Sequence, residues 1–227
     1  MPETLIETRG LGRTFASGGE TVVVLTDLDV RLARGESLAL VGRSGSGKST
    51  LLNLLCGLER PDTGRIRVLD QTFDTADGET DPQREQRWAS LRKTRVGVVF
   101  QDTNLMPALS LLDNVRLRAR LAGWDSDACQ DWLERLGIGE LAGRYPDQVS
   151  GGQRQRAALA MTFAMAPAVI LADEPTGSLD RDTAAQVADQ LFEWQARTGC
   201  GLILATHDPE LAARCDRTLD LAHSTAR

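Results

Sequence analysis

The sequence predicts an α/β fold, a parallel β-sheet flanked by helices with a smaller antiparallel sheet beside it. Three observations carry this. Four short aliphatic runs, Leu38–Val41, Val96–Phe100, Val169–Ala172 and Gly201–Ala205, are nearly free of charge, as strands covered on both faces are. Helical patterns separate those runs, which favours parallel strands joined by crossovers. Finally, Gly42-Arg43-Ser44-Gly45-Ser46-Gly47-Lys48-Ser49 stands between the first run and the helical pattern Thr50–Leu55, and its spacing is G-x-x-x-x-G-K-[ST].

The elements follow in order. Alternating or apolar runs at Leu5–Arg9, Thr21–Leu25 and Leu28–Leu32 are punctuated by Gly18-Gly19 and Arg34-Gly35-Glu36, and Arg65–Leu69 follows the turn Pro61-Asp62-Thr63-Gly64. These read as the antiparallel strands. Asp74–Pro82 reads as a loop and Gln83–Arg92 as an amphipathic helix. From 102 to 148, helical segments at Leu112–Leu121 and Ala128–Leu136 are broken by Gly123, Gly137 and Gly139, with no further parallel-strand run. That stretch reads as a helical insertion into the core. An apolar helix at Arg156–Ala166 is ended by Pro167.

The loop at 42–49 explains its own composition. Glycines let successive backbone N–H groups curl around an anion with no Cβ in the way. The helix that follows adds unpaired N–H groups and a partial positive charge. On this reading Gly42 to Thr50 cradle phosphates, Lys48 reaches the β- and γ-phosphates of a nucleotide and the Ser49 hydroxyl ligates Mg²⁺. The motif alone does not choose among kinases, GTPases, helicases and transport ATPases.

Composition narrows the field. The chain has 227 residues, 26 basic and 32 acidic, for a net charge of −6. An acidic balance argues against a nucleic-acid partner, which usually needs a basic stripe. Cys56, Cys129, Cys200 and Cys215 are far apart with no C-x-x-C pair, and read as reduced thiols of a cytosolic protein. Met1–Glu7 shows no basic region followed by an apolar core, so no signal peptide is expected. The most apolar window, Ala157–Ala172, is shorter than a membrane span and contains Thr162 and Pro167. Contact with a membrane is therefore expected only through a partner.

A second signature, Val149-Ser150-Gly151-Gly152-Gln153, opens the apolar helix. Ser150 reads as its N-cap, and the exposed N–H groups of the glycines can also hold an anion. Further on, Val169–Ala172 leads into Asp173-Glu174, then Ser178-Leu179-Asp180 and Thr206-His207-Asp208, while Gln101 ends Val98-Val99-Phe100. This series, in this order, resembles the ATP-binding-cassette (ABC) ATPases over nearly the whole chain. The resemblance implies a P-loop NTPase of ABC ATPase type, a RecA-like parallel-sheet core with an N-terminal antiparallel β subdomain and an inserted α-helical subdomain. It further implies one such domain over 1–227, with the nucleotide-binding core at about 1–100 and 155–227 and the helical signature subdomain at about 102–154. Pro146–Arg156 and Ala172–Asp180 resemble the lipoprotein-releasing and macrolide-export ATPases, and Leu211–Arg217 is close to the YbbA-like members of that branch.

The resemblance implies roles. Asp173, at the end of a buried strand where an unpaired carboxylate is costly, holds Mg²⁺ with Ser49 and Gln101. Glu174 polarises the attacking water as general base, Gln101 senses the metal or water, and His207 binds the γ-phosphate. Phe15 matches the position of an adenine-stacking aromatic, although tyrosine is more usual there. His223, in the tail, reads as incidental. Ser150, Gly151, Gly152 and Gln153 contact ATP held by a second copy of the chain, in a head-to-tail dimer with Asp180 bridging the sites.

The implied function is that of the ATP-binding and ATP-hydrolysing subunit of an ABC transporter or lipoprotein-release-type complex. ATP closes the dimer, and hydrolysis drives an integral-membrane permease from the cytoplasmic face of the membrane. The segment Leu105-Met106-Pro107-Ala108-Leu109 is a candidate docking surface for that permease. An ABC ATPase in repair, translation or soluble regulation is the alternative, but it usually brings a coiled-coil insertion or tandem cassettes. A small-molecule P-loop kinase leaves Val149–Gln153 unexplained. The chain departs from the branch at Met161, where an arginine is usual, and at Asp70-Gln71, in place of a glycine-containing turn.

Overall fold

The structure is a computed structural model and describes residues 3–17, 20–75, 82–177 and 179–221. Gly18-Gly19, most of the loop expected at 74–82, Ser178 and the tail with His223 lie outside them. The chain divides into two compact units, Met1–Leu91 with Gly201–Arg227, and Arg92–Cys200.

In the first unit, strands β1 (Thr4–Ser17), β2 (Glu20–Leu28), β5 (Thr63–Val68) and β6 (Gln71–Asp74) form an antiparallel sheet in the order β2-β1-β5-β6, with β3 (Arg31–Ala33) also on β1. β1 is much longer than the expected Leu5–Arg9. Register shifts between Leu11 and Thr14 let one strand serve β5 along its first part and β2 along its second. The strand expected at Leu28–Leu32 shrinks to β3, and Asp29 instead accepts a 2.7 Å hydrogen bond from the Gly10 amide. The parallel part of this unit is β4 (Ser37–Val41), flanked by β9 (Gly201–Ala205) and β10 (Arg217–Asp220). Leu38, Ala39 and Leu40 are buried, as are all five residues of β9. Helix α1 (Lys48–Leu55) follows β4 across the 42–47 loop and buries Leu51, Leu52, Leu54 and Leu55. Helix α2 (Pro82–Thr94) carries Trp88, whose ring stacks on Phe73 of β6 at 3.8 Å.

The second unit pairs β7 (Val96–Val99) in parallel with β8 (Val169–Asp173). Helices α3 (Leu111–Ala122), α4 (Cys129–Arg135), α5 (Gly151–Ala164) and α6 (Arg181–Thr198) accompany them. Gly97 of β7 lies so close to α5 that a Cβ there would sit 2.6 Å from the Thr162 methyl. Strands β7 and β8 and helices α3 to α5 match the expected runs to within about five residues at each end. Helix α5 stops at Ala164, before Pro167, with Ala166 in the left-handed region.

One buried polar side chain fixes the loop that leads into α3. Asn114, 1% exposed, accepts from the Met106 amide at 2.7 Å and donates to the carbonyls of Met106, Leu109 and Ser110 at 3.2, 3.1 and 2.9 Å. The expected docking segment is thereby split. Leu105 is buried, whereas Met106, Pro107 and Ala108 are exposed.

All four cysteines are free thiols, with Cys56, Cys129 and Cys200 buried. Among the described residues no helix is long and apolar enough to cross a membrane. Because removing the Asn114 amide takes the partner from the Met106 N–H and the Leu109 carbonyl, while the Met106 and Ser110 carbonyls keep backbone donors, Asn114→Ala is expected to cost about 2 kcal/mol. Urea unfolding would measure this, and limited proteolysis should show faster cleavage at 105–109.

Candidate functional site

The first unit presents the phosphate loop. β4 delivers it from a buried strand, and a short network anchors the start of that strand. The Ser37 amide and hydroxyl both donate to Asp216 Oδ2 at 2.8 Å, and the Asp216 amide donates back to Ser37 Oγ at 3.0 Å. In the loop, Gly42, Gly45 and Gly47 all have positive φ. At Gly47, φ is 94°, and a Cβ would sit 2.9 Å from Val24 Cγ1. Glycine is therefore required there both by dihedral and by space.

Lys48 is 8% exposed, and its Nζ donates to the carbonyls of Gly42 at 2.9 Å and Arg43 at 3.4 Å. The ammonium is thus folded over the mouth of its own loop. Ser46 Oγ is buried with no hydrogen-bond partner, while Arg43, Ser44 and Ser49 are exposed and Thr50 is half-buried. A buried hydroxyl without a partner is costly, and an anion in the cradle is one way to satisfy it.

His207 follows β9 in the same unit and is exposed. The Thr206 amide donates to the Leu40 carbonyl of β4 at 3.1 Å, and Thr206 Oγ1 accepts from the Asp208 amide at 3.0 Å. Thr206, 1% exposed, therefore ties His207 to the strand that carries the phosphate loop. Phe15 is half-buried on β1 opposite Val22, with the Arg13 guanidinium 4.5 Å from its ring centroid. A cation over one face leaves the other for a flat group.

The second unit presents the remaining candidates. Asp173 ends β8, and its Oδ1 is buried with no hydrogen-bond partner. Glu174, immediately after, has φ 44°. A side chain in the left-handed region costs of order 1 kcal/mol, and such residues cluster at functional sites. Gln101 is exposed just beyond β7.

Ser150 and Gln153 form a reciprocal cap on α5. Ser150 Oγ accepts from the Gln153 amide at 3.2 Å, and Gln153 Oε1 accepts from the Ser150 amide at 2.8 Å. The two signature glycines differ. A Cβ at Gly151 would meet only Arg154, at 3.9 Å, whereas one at Gly152 would sit 2.7 Å from the Thr183 methyl of α6. Gly151 faces open space, and Gly152 is small so that α6 can approach. Asp180 caps α6 by accepting from the Thr183 amide at 3.0 Å. That bond, with a further one from the Thr183 side chain, holds the Asp180 carboxyl below the usual carboxylate range.

Three supporting residues were not among the sequence candidates. Gln155, 2% exposed on α5, donates through Nε2 to the Phe100 carbonyl at 3.4 Å, so the signature helix holds the backbone just before Gln101. Thr183 and Thr206 act as described above. Gln155 stands in the polar run Gln153-Arg154-Gln155-Arg156, where nothing in the sequence marks it as the buried member. Nothing local marks the two threonines.

Each unit by itself carries an oxygen donor of the kind a hard cation takes. Asp173 offers an unsatisfied buried carboxylate oxygen, and Ser49 offers an exposed hydroxyl. Among the described residues no cluster of three His, Cys, Asp or Glu side chains could hold a metal unaided.

A glycine-lined anion cradle between a buried parallel strand and a helix defines a P-loop nucleotide-binding protein. The family model described as ABC transporter matches residues 25–177. The chain is 42% identical over 228 residues to an uncharacterized ABC transporter ATP-binding protein, YbbA, of Escherichia coli K12, covering 98% of this chain and 97% of that protein. It is 41% identical to the lipoprotein-releasing system ATP-binding protein LolD of Anaeromyxobacter dehalogenans, covering 95% and 90%. The dimeric structure of the bacterial ABC transporter cassette MJ0796 superposes with a TM-score of 0.84 at 30% identity, covering 95% of this chain and 94% of that one. The same cassette in a post-hydrolysis dimer with ADP and Pi superposes at 0.82. The chain belongs to the ABC transporter family and is an ATP-binding, ATP-hydrolysing subunit of that class.

The Ser37–Asp216 anchor gives a pH-dependent outcome. The Ser37 amide, then its hydroxyl, hold the Asp216 carboxyl below its usual range. A depressed carboxylate stabilises fully above its unfolded value, near 4, and that stabilisation is lost as pH falls through the folded value. At pH 7, Asp216→Asn is expected to lower the thermal midpoint by about 2–4 °C, discounting for solvent exposure. The gap between variant and wild type should begin to narrow near pH 4 and close once pH is below the lowered folded value, as thermal melts across pH would show.

Proposed function

We propose that this chain works as one half of a two-chain ATP clamp that drives an integral-membrane permease. The observation that carries the reading is the pair of glycines opening α5. Gly152 is consumed by packing against α6, while Gly151 is left with an open side at a helix N-terminus. Ser150 and Gln153 satisfy each other, so this end of the helix is rigid. A rigid, open helix N-terminus is suited to an anion.

In this reading Gly42 to Thr50 bind the phosphates of ATP, with Lys48 leaving its loop carbonyls for the β- and γ-phosphates. Phe15 offers a ring face to the base. Ser49, Asp173 and Gln101 would hold Mg²⁺, which when bound neutralises charge on the phosphate oxygens. Glu174 accepts the proton of the attacking water. Its unfavourable φ is the backbone conformation in which the fold presents the carboxylate. His207, held through Thr206, hydrogen-bonds the γ-phosphate. Ser150 to Gln153 of a second copy close on that phosphate, and Asp180 lies at the seam between copies. Closure then depends on a group that hydrolysis removes, so ATP favours the closed dimer and ADP the open one.

The permease contact is assigned to the exposed residues Met106, Pro107 and Ala108, on the loop held by Asn114 and a few residues beyond Gln101. The likeness to LolD supports a place on the cytoplasmic face of a membrane, reached through that partner. Leu105 is buried, so replacing it would test folding rather than docking.

Two outcomes test the clamp. Glu174→Gln should keep ATP binding, lose at least about a hundredfold in hydrolysis, and accumulate a dimer with ATP by light scattering. Gly151→Asp should leave the thermal midpoint unchanged, because the position is open. It should nevertheless abolish ATP-dependent dimerisation by placing a carboxylate where the partner's phosphate is proposed to bind. Normal dimerisation of Gly151→Asp would remove the signature from the clamp.

A further inference from the structure

Away from every residue assigned to nucleotide, helices α4, α5 and α6 of the second unit surround a half-open cavity of about 410 Å³. Its size lies within the range of small-molecule sites, roughly 300–1,000 Å³. Three rings form its wall. Phe163 and Trp194 stack with centroids 4.6 Å apart and planes 11° from parallel. Trp132 meets both edge-on, at 6.0 and 4.9 Å.

Two guanidinium groups stand over these rings. Arg135 lies 5.0 Å from the Trp132 centroid, and Arg197 lies 5.8 Å from Trp132 and 5.4 Å from Trp194. Neither makes an ion pair with any described residue. Glu193 also lines the cavity, one turn before Arg197, and pairs with neither arginine. Gln190, on the same face of α6, contributes an Oε1 that is buried with no hydrogen-bond partner.

Arginine that covers an aromatic surface keeps its head group in water, and Arg135 and Arg197 are both exposed, so their charge is presented at the cavity mouth. Here two cations converge on one indole, and a buried acceptor beside them has no donor. The lining therefore carries an apolar wall, an excess of one positive charge and one unmet acceptor. We propose that this cavity binds a small amphipathic anion. Its flat apolar body would lie against the Trp132, Phe163 and Trp194 rings, its acidic head group at Arg135 and Arg197, and a hydrogen-bond donor toward Gln190. Charge complementarity selects an anion over a neutral or cationic amphiphile, and the rings select a flat body over a sugar or a free phosphate. The inference does not depend on the nucleotide roles above.

The test titrates the full-length protein, with saturating ATP present, against two fluorescent probes. The first is 8-anilinonaphthalene-1-sulfonate. The second is N-phenyl-1-naphthylamine, which shares the arylamine body and N–H donor but lacks the sulfonate. The expected result is one sulfonate-probe site per chain, at least about tenfold tighter than the neutral probe, with quenching of tryptophan emission. Arg135→Gln with Arg197→Gln should bring the sulfonate probe down to the neutral probe's affinity and leave the neutral probe unchanged. If that double variant fails to fold, each single variant should weaken the sulfonate probe alone by about threefold or more. Equal affinity of the two probes, a sulfonate-probe site seen only when ATP is left out, or its unchanged binding to folded arginine variants would overturn the proposal.

Discussion

A loop that grips phosphate has to keep its backbone N–H groups turned to one side and unused by the rest of the chain. Its stability must therefore come from outside the loop. In the 42–47 segment the bonds go to carbonyls: Arg43 accepts from the Ser46 amide at 3.1 Å, Gly42 and Arg43 from Lys48 Nζ, and Gly47 from the Leu51 amide at 2.8 Å. What holds it is β4, buried between β9 and β10 and secured at its start by Asp216, together with α1, whose leucines are fully buried. Thr206 adds a bond from the adjacent strand. Much of the first unit can be understood as the means of fixing one stretch of unsatisfied backbone, and the orphaned Ser46 hydroxyl marks where that satisfaction is withheld.

The second unit solves a different problem with α5. Its first turn is closed by the Ser150–Gln153 box, its second residue is shaped to admit Thr183, and Gln155 reaches the Phe100 carbonyl. Signature, α6 N-terminus and the backbone before Gln101 are thus attached to a single rod. Asp180 is attached as well, because its carboxylate caps the helix that carries Thr183. Small residues in this motif act in two ways that a sequence pattern does not distinguish: Gly151 leaves space open, and Gly152 lets another helix fill it.

What was legible in the sequence depended on how local the physics was. The four aliphatic strands, the phosphate loop and the Ser150 cap follow from patterns a few residues long, and all appear where expected. The long β1 was misread as a short strand because its continuation depends on bulges that only pairing with β2 and β5 creates. β10 was missed because Arg217–Asp220 is a polar strand at the margin of β4, with no apolar run to announce it. β6 was missed because only Phe73 of its four residues is buried. At the site, residue types were legible and conformations were not. Asp173 and Glu174 could be named, but the positive φ of Glu174 and the unsatisfied oxygen of Asp173 arise from tertiary context. Asp70-Gln71, noted as a departure, simply brackets the turn from β5 into β6.

The four hydrogen bonds of Asn114 also bear on kinetics. Loops usually lose conformational freedom when something binds them, and that loss opposes association. The 106–110 segment has already lost it during folding, because one buried amide fixes three carbonyls and an N–H along its length. A surface prepared in this way needs no ordering step on contact. Its capture by any partner would be set by diffusion and orientation, and its residence time by the contacts made at Met106 and its neighbours.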